Sequence, residues 1–100
     1  MNDRDRRIID VIRLLQPGEV TTYGDIAETA GYPRQSRRVG RLLALTDDDL
    51  PWWRVVNSTG RLVPGNEREQ TERLHAEGVT VIDGKVRRAP SGRFSRRTRP

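Results

Sequence analysis

The chain has 100 residues, a third of them hydrophobic and a third charged, with a formal net charge of +5, which suits one domain with a small core. It contains no cysteine and one histidine, which excludes disulfides, thiolate nucleophiles and cysteine-based zinc sites, and we expect no metal or other cofactor. No stretch is long and apolar enough to span a membrane and the N-terminus lacks the apolar segment of a signal peptide, so we expect a cytoplasmic protein without a membrane partner.

Hydrophobic periodicity predicts four helices, over residues 3–16, 23–30, 35–45 and 67–77. The first has an apolar stripe from Ile8 to Leu15 and stops before a Pro-Gly pair. Thr22 forms a capping box with Asp25, three residues later, and opens the second helix. The second and third helices are short, are joined by a tight turn that contains glycine, and the third is basic. This pattern has the outline of a helix-turn-helix.

The second half of the chain is predicted to contain little regular structure apart from the fourth helix. Residues 51–56, PWWRVV, are expected to be extended, so that the two indoles point in opposite directions. Asp83-Gly84 separates two short runs within residues 79–86 and predicts a terminal β-hairpin. Together these elements predict a mainly α single domain over residues 1–88, with a small β-hairpin.

The positive charge of the chain has two sources. From Val86 to the C-terminus the sequence VRRAPSGRFSRRTRP has six arginines and no acid, and we expect residues 89–100 to be a basic, disordered tail. The remainder is slightly acidic, with 13 basic and 14 acidic residues, but has no acid between Glu28 and Asp47. The arginines of that stretch are Arg34, Arg37, Arg38 and Arg41. Their spacing places them on one flank of the third helix, which favours phosphate binding over a merely solvated face.

Four motifs occur in the order found in one family of DNA repair proteins. They read GEVTTYGDIAETAG, SRRVGRLL, PWWRVVNSTGRL and ERLHAEGV and cover about residues 5–82. In this order they resemble the DNA-binding, active-site domain of the O6-alkylguanine-DNA alkyltransferases, a winged helix-turn-helix-like domain. The hallmark of that family is Pro-Cys-His-Arg-Val, in which the cysteine accepts the alkyl group. Here Trp52 and Trp53 match the cysteine and the histidine, and tryptophan in place of the cysteine resembles the alkyltransferase-like proteins.

The side chains at these positions argue independently against alkyl transfer. The reaction needs a strong nucleophile, a base that activates it and a group that orients the base, whereas an indole nitrogen is a donor only. Glu77 matches the orienting glutamate of the family, but both groups it would serve are indoles. A degenerate alkyltransferase that used Glu77 or Tyr23 as nucleophile is an alternative, although neither approaches a thiolate in strength. We therefore expect no catalytic residue and no enzymatic activity.

The resemblance also implies how the protein would contact DNA. The helix-turn-helix would dock in the minor groove, Tyr23 would press on a phosphate beside the lesion, and Arg37 would fill the stack that the flipped nucleotide leaves. The predicted DNA-binding residues are Tyr23, Arg34, Arg37, Arg38, Gly40 and Arg41. The predicted lesion-pocket residues are Tyr23, Trp52, Val55 and Arg61. The backbone carbonyls of Trp52 and Val55 are candidates to accept from the exocyclic amine of guanine.

The function implied by the resemblance is that of a monomeric damage sensor. It would bind O6-alkylguanine in double-stranded DNA and pass the lesion to nucleotide excision repair proteins, in the cytoplasm and at the nucleoid if the source is bacterial. Trp53 departs from the family pattern, because alkyltransferase-like proteins generally keep the histidine there. The alternative is a sequence-specific helix-turn-helix regulator that inserts residues 35–45 in the major groove as a dimer. The sequence offers no obvious dimerisation helix for it.

Overall fold

The structure, a computed structural model, describes residues 1–95, which form four α-helices, one 3-10 helix and five short strands. The α-helices are α1 (Asp3–Arg13), α2 (Tyr23–Thr29), α3 (Ser36–Leu45) and α4 (Glu67–Ala76), and the 3-10 helix is Trp52–Arg54. The strands are β1 (Glu19–Thr22), β2 (Val55–Val56), β3 (Thr80–Ile82), β4 (Lys85–Arg88) and β5 (Ser91–Gly92). Within residues 1–95 no helix has the length and apolar character needed to cross a membrane.

A three-stranded parallel sheet that the sequence did not predict lies at the centre of the domain. β1 is its middle strand and pairs with β2 on one side and β5 on the other. The sheet therefore joins three segments that are distant in the sequence. Because β1 ends at Thr22, where α2 begins, the sheet also fixes the start of the helix-turn-helix.

The predicted terminal hairpin is present as β3 and β4. Val81 lies opposite Val86, and the two turn residues Asp83 and Gly84 both have positive φ angles, of 53° and 73°. This is the backbone of a type I′ turn, whose twist matches that of the strands it joins, and Asp-Gly is one of the pairs that adopt it most readily.

Two hydrophobic clusters lie on opposite sides of β2. The first packs α1 against α2 and α3 and contains Val55, and the second packs α4 against the hairpin and β1 and contains Val56. Both valines are fully buried. Adjacent residues of a strand point to opposite faces, so β2 contributes one side chain to each cluster and holds them together.

The first helix is shorter than predicted and ends at Arg13. Leu15 leaves the helix and turns into the first cluster, where it is 7% exposed. Its carbonyl accepts a hydrogen bond from Nη1 of Arg54 at 2.9 Å. The hydrogen bond from Arg54 thus satisfies this carbonyl, and the last helical turn that the apolar spacing predicted does not form.

Residues 89–95 pack on the domain, which corrects the expectation that the chain is disordered after residue 88. Ala89 is 4% exposed in the second cluster, and Nη1 of Arg93 lies 2.9 Å from a carboxylate oxygen of Asp25. Gly92, at φ +84°, brings β5 so close to Val20 that any Cβ would collide with its carbonyl. The open edge of β1 gives this segment its backbone partners. The remainder of the predicted tail, residues 96–100, lies outside the described residues.

Candidate nucleic-acid interface and its pocket

A cavity of about 380 Å³ lies between the helix-turn-helix and the segment that runs from the 3-10 helix into α4. One wall consists of Tyr23 and residues of α3, and the other consists of Trp52, the following loop and the first turn of α4. The lining residues are Tyr23, Gly40, Leu43, Ala44, Trp52, Val63, Asn66 and Glu69. The volume is within the range of roughly 300–1,000 Å³ typical of pockets for small organic ligands.

Tyr23 is the first residue of α2, and local capping fixes its position. The hydroxyl oxygen of Thr22 accepts from the backbone N–H of Asp25 at 3.1 Å, as the capping box predicts. The Tyr23 ring packs over Gly40, with Cε1 3.7 Å from where a Cβ on that glycine would lie. Burial raises the pKa of Tyr23, so its phenol stays protonated at neutral pH and can donate a hydrogen bond at the cavity wall.

Trp52 and Trp53 lie in a 3-10 helix, which corrects the expectation of an extended segment. The N–H of Arg54 donates to the carbonyl of Pro51 at 3.1 Å, and the N–H of Val55 donates to that of Trp52. Successive side chains of a 3-10 helix diverge by about 120°, and the two indoles meet edge to face, with ring centroids 6.2 Å apart at 89°. Trp52 lines the cavity, whereas Trp53 packs against the second cluster.

A hydrogen-bonded carboxylate holds Trp53 in place. Glu77 accepts from Nε1 of Trp53 at 2.8 Å, from Nη2 of Arg54 at 2.7 Å and from the N–H of Gly18 at 2.8 Å. Arg54 and Arg73 place their guanidinium groups 5.0 and 4.5 Å from the centroid of the Trp53 ring. Burial raises the pKa of Glu77, but these hydrogen bonds and the charge of Arg54 outweigh it and lower the pKa overall. Glu77 is therefore an anchored anion.

Three of the predicted DNA-binding arginines are exposed, namely Arg34, Arg37 and Arg41. Arg37 and Arg41 are four residues apart on α3 and occupy the flank next to Gly40. Arg34 lies in the turn before α3 and adopts a left-handed φ of 77°. These three arginines form a basic surface. It lies directly beside the cavity, because Arg37 and Arg41 flank Gly40, which lines the cavity.

Arg38 does not belong to that basic surface, which corrects its assignment as a DNA contact. Its Nε and Nη2 lie 3.0 and 2.5 Å from the two carboxylate oxygens of Asp5, in a two-point pair that joins α3 to α1. The Arg38 hydrogen bonds lower the pKa of Asp5 to about 2, with a smaller contribution from Arg4 and against an opposing effect of burial. The Arg38 guanidinium is therefore committed to the fold.

Two of the predicted pocket residues lie outside the cavity. Val55 is fully buried in the first cluster, and its carbonyl accepts from Nε2 of Gln70 at 3.2 Å. The Trp52 carbonyl is likewise engaged within its own 3-10 helix. Arg61 is exposed and forms a β-bridge with Lys85, away from the lining residues. Val55 and Arg61 are therefore not lining residues of the cavity, which corrects their placement there, whereas the contact of the two carbonyls with guanine stays a prediction.

Six lining residues were absent from the predicted pocket, namely Gly40, which was predicted only as a DNA contact, and Leu43, Ala44, Val63, Asn66 and Glu69. Leu43 and Ala44 follow Gly40 by three and four residues on α3, so helical spacing could have indicated them. Asn66 is the residue before α4, and its side chain makes no capping hydrogen bond. Glu69 carried no signal in the sequence, because its position depends on how α4 packs against the 3-10 helix.

Comparison with known proteins identifies the family. Residues 3–79 match the family model described as the DNA-binding domain of 6-O-methylguanine DNA methyltransferase. The chain belongs to this family. Within the methyltransferase family, its relatives include a DNA base-flipping protein of Vibrio parahaemolyticus, 41% identical over 85 residues that cover 80% of this chain and 85% of that protein. Alkyltransferase-like protein 1 of Schizosaccharomyces pombe is 32% identical over 87 residues, or 81% of each chain.

A solved structure from the same family confirms the fold class. The S. pombe alkyltransferase-like protein, in complex with damaged DNA that contains O6-carboxymethylguanine, superimposes with a TM-score of 0.75 at 30% identity. The match covers 86% of this chain and 88% of that chain. The predicted mainly helical domain with short strands and the predicted resemblance are thus both confirmed.

Proposed function

We propose that the protein is a non-enzymatic sensor of O6-alkylguanine in double-stranded DNA. The helix-turn-helix of α2 and α3 binds the minor groove, and the damaged nucleotide rotates out of the duplex into the cavity beside Trp52. The position of that cavity carries the proposal. Its wall includes Gly40 of α3, and the exposed Arg37 and Arg41 flank the same helix. When a duplex is bound to this basic surface, a nucleotide that rotates out of it can enter the adjacent cavity.

Tyr23 and Arg37 supply what base flipping requires. Extrusion costs a few kcal/mol of pairing and stacking, and less for a guanine whose alkylated O6 already weakens its pairing. A planar guanidinium from Arg37 can recover part of the lost stacking. Tyr23, held at the start of α2 by the Thr22 cap, is a rigid group that can press on the phosphate beside the lesion. The base-flipping name of the Vibrio parahaemolyticus relative supports this assignment.

The chemistry of the cavity supports binding without alkyl transfer. Trp52 occupies the position that matches the family's cysteine, and the sequence has no cysteine elsewhere. Glu77, the first alternative nucleophile, is bound to Arg54 and lies outside the lining. Tyr23, the second, has a raised pKa and is a weak nucleophile in its protonated form.

A sensor that cannot remove a lesion needs a partner that can. We propose nucleotide excision repair proteins as that partner, acting in the cytoplasm or at the nucleoid. We further propose that the protein acts as a monomer.

Paired duplexes test the proposal. Affinity for a short duplex that contains O6-methylguanine is compared with affinity for the same duplex with guanine, and the protein is weighed afterwards by mass spectrometry. We expect tighter binding to the lesion and an unchanged protein mass. Equal affinities would instead favour a sequence-specific regulator, and a mass gain of one methyl group would establish an enzyme.

A further inference from the structure

The cavity has a marked charge asymmetry. Of the lining residues described above, only Glu69 is charged, and the others are apolar side chains, glycine, Tyr23 or the neutral amide of Asn66. The exposed arginines of α3 lie on the other side of the same cavity, so the acidic side chain contrasts with the basic surface beside it.

Glu69 lines the cavity and is paired with an arginine of the same helix. It belongs to the first turn of α4, and its Oε2 accepts from Nε of Arg73 at 3.0 Å. Arg73 in turn lies against the Trp53 ring and is not a lining residue. The Glu69 side chain is 54% exposed, so solvent screens its charge only in part. Glu69 is therefore the charged side chain that the cavity wall itself presents, and Arg73 pairs with it from outside the lining.

We infer that Glu69 determines which O6 adducts this protein accepts. It disfavours adducts that carry a negative charge, such as O6-carboxymethylguanine, relative to neutral adducts such as O6-methylguanine and O6-hydroxyethylguanine. The hydroxyl of the last can in addition donate a hydrogen bond to the carboxylate. This inference rests on the proposed function, since it assumes that the flipped guanine occupies the cavity.

The expected discrimination is moderate because the carboxylate is half exposed and paired. Solvent and the neighbouring Arg73 both screen the repulsion between Glu69 and a negatively charged adduct, and salt reduces it further. We therefore expect the wild-type protein to bind the methyl adduct about three- to tenfold more tightly than the carboxymethyl adduct at low ionic strength. The neutral hydroxyethyl adduct should bind at least as well as the methyl adduct.

Glu69→Gln tests the charge with little change of shape or helix propensity. Dissociation constants are measured for duplexes of one sequence that contain guanine, O6-methylguanine, O6-hydroxyethylguanine or O6-carboxymethylguanine, at low and at high salt. Only ratios between adducts are compared, so that the general gain in affinity from removing a negative charge cancels. Glu72→Gln is the matched control, because Glu72 also forms an i,i+4 pair on α4, with Arg68, and does not line the cavity.

The expected result is that Glu69→Gln brings the carboxymethyl-to-methyl ratio close to one and that Glu72→Gln leaves it unchanged. The Glu69→Gln/Arg73→Gln double variant should behave like Glu69→Gln, which assigns the effect to the carboxylate rather than to a released Arg73. A wild-type ratio of one, or a ratio that Glu69→Gln does not alter, would overturn the inference while the lesion-over-guanine preference still stood. Loss of that preference in the wild type would instead overturn the proposed function.

Discussion

At the scale of single residues, Arg37 and Arg38 are sequence neighbours on α3 with opposite surroundings. Arg37 is exposed on the flank that borders the cavity, whereas Arg38 makes a two-point pair with Asp5. A helix rotates by about 100° per residue, so neighbours face different partners even where both are arginine. The count of basic residues on α3 therefore overstates how many of them DNA can use.

Alanine substitutions should separate these two arginines. Arg37→Ala should leave the free energy of unfolding within about 0.5 kcal/mol of the wild type, since the side chain is exposed. It should cost about 1 kcal/mol, or roughly fivefold, of the preference for O6-methylguanine over guanine, because the variant lacks the guanidinium that we propose fills the vacated stack. Arg38→Ala should instead lower the free energy of unfolding by about 1–2 kcal/mol, because Asp5 loses its main partner. Urea unfolding and duplex binding measure the two effects.

A reversal of this pattern would contradict the assignment. If Arg38→Ala abolished lesion preference without loss of stability, Arg38 would be the DNA contact. If Arg37→Ala discriminated as well as the wild type, its proposed place in the vacated stack would be wrong.

At the scale of elements, β5 divides the C-terminal region into two parts with different roles. Residues 89–95 bury Ala89, pair with β1 and form the Arg93–Asp25 ion pair. Residues 96–100, RRTRP, add three arginines to the chain. Residues 89–95 and 96–100 are thus both rich in arginine, but the first segment packs on the domain and the second contributes mainly positive charge.

Two truncations should distinguish these parts. Removal of residues 96–100 should leave the free energy of unfolding unchanged and weaken binding to damaged and undamaged duplexes alike. The slope of log Kd against log salt should fall by up to about 2–3, because each arginine that neutralises a phosphate contributes about 0.9. Removal of residues 89–100 should in addition lower the free energy of unfolding by at least about 2 kcal/mol, through the exposure of apolar surface in the second cluster.

The lesion-to-guanine ratio is the control for the shorter truncation. It should stay constant, since a non-specific arm contributes equally to both duplexes. A change in that ratio would show that residues 96–100 contact the lesion or its pocket.

Those elements that local chemistry specifies were predictable from the sequence. The Thr22 cap of α2 and the Asp83-Gly84 turn each lie within a few residues and occur as predicted, although the Asp25 carboxylate binds Arg93 rather than completing the capping box. The 3-10 helix and β5 depend on distant partners instead. Arg54 reaches Glu77 across 23 positions, and Gly92 packs against Val20, so neither pattern is visible in a local window.

The pocket was predictable to the extent that family motifs mark it. Tyr23, Gly40 and Trp52 belong to those motifs, and all three line the cavity. Asn66 and Glu69 enter the wall only because α4 packs beside the 3-10 helix, a contact that the sequence alone does not fix. The family motifs therefore predicted the wall formed by Tyr23 and α3 better than the wall formed by the loop and α4.

At the scale of the whole molecule, two carboxylates with lowered pKa values join elements that are far apart in the chain. Asp5 connects α1 to α3, and Glu77 connects the end of α4 to Arg54 and to the loop at Gly18. Each pair lies at a junction on which the cavity depends, since α3 forms one wall and the 3-10 helix forms the other. Protonation of either Asp5 or Glu77 at acidic pH should therefore weaken a junction that supports the cavity.

The pH dependence of unfolding should reveal the Asp5 pair. Its pKa is about 2 in the folded protein against an ordinary 3.8, so the unfolded chain binds more protons between these values. The free energy of unfolding should thus be highest above about pH 4 and fall as the pH drops toward 2. Because Arg38 is 31% exposed, solvent screening reduces the expected contribution of Asp5 to about 1 kcal/mol.

Asp5→Asn should remove this contribution and flatten the acid limb. Urea unfolding from pH 2 to pH 6 measures it, and the slope that remains includes Glu77, whose pKa is also lowered. An acid limb identical to that of the wild type would show that the Asp5–Arg38 pair adds nothing to stability.

The anchoring of Trp53 by Glu77 also bears on whether alkyl transfer could return to this chain. Trp52→Cys alone would place a thiol at the cavity with an ordinary pKa of about 8.5, mostly protonated at neutral pH. Its neighbour would still be an indole that cannot accept a proton, and Glu77 would still be bound to Arg54. Alkyl transfer would require a thiol at position 52, a base at position 53 and a freed Glu77 together, and each of the first two changes removes a packed tryptophan. The contacts that fix Trp53 and Glu77 thus make it improbable that one substitution at Trp52 would confer alkyl transfer.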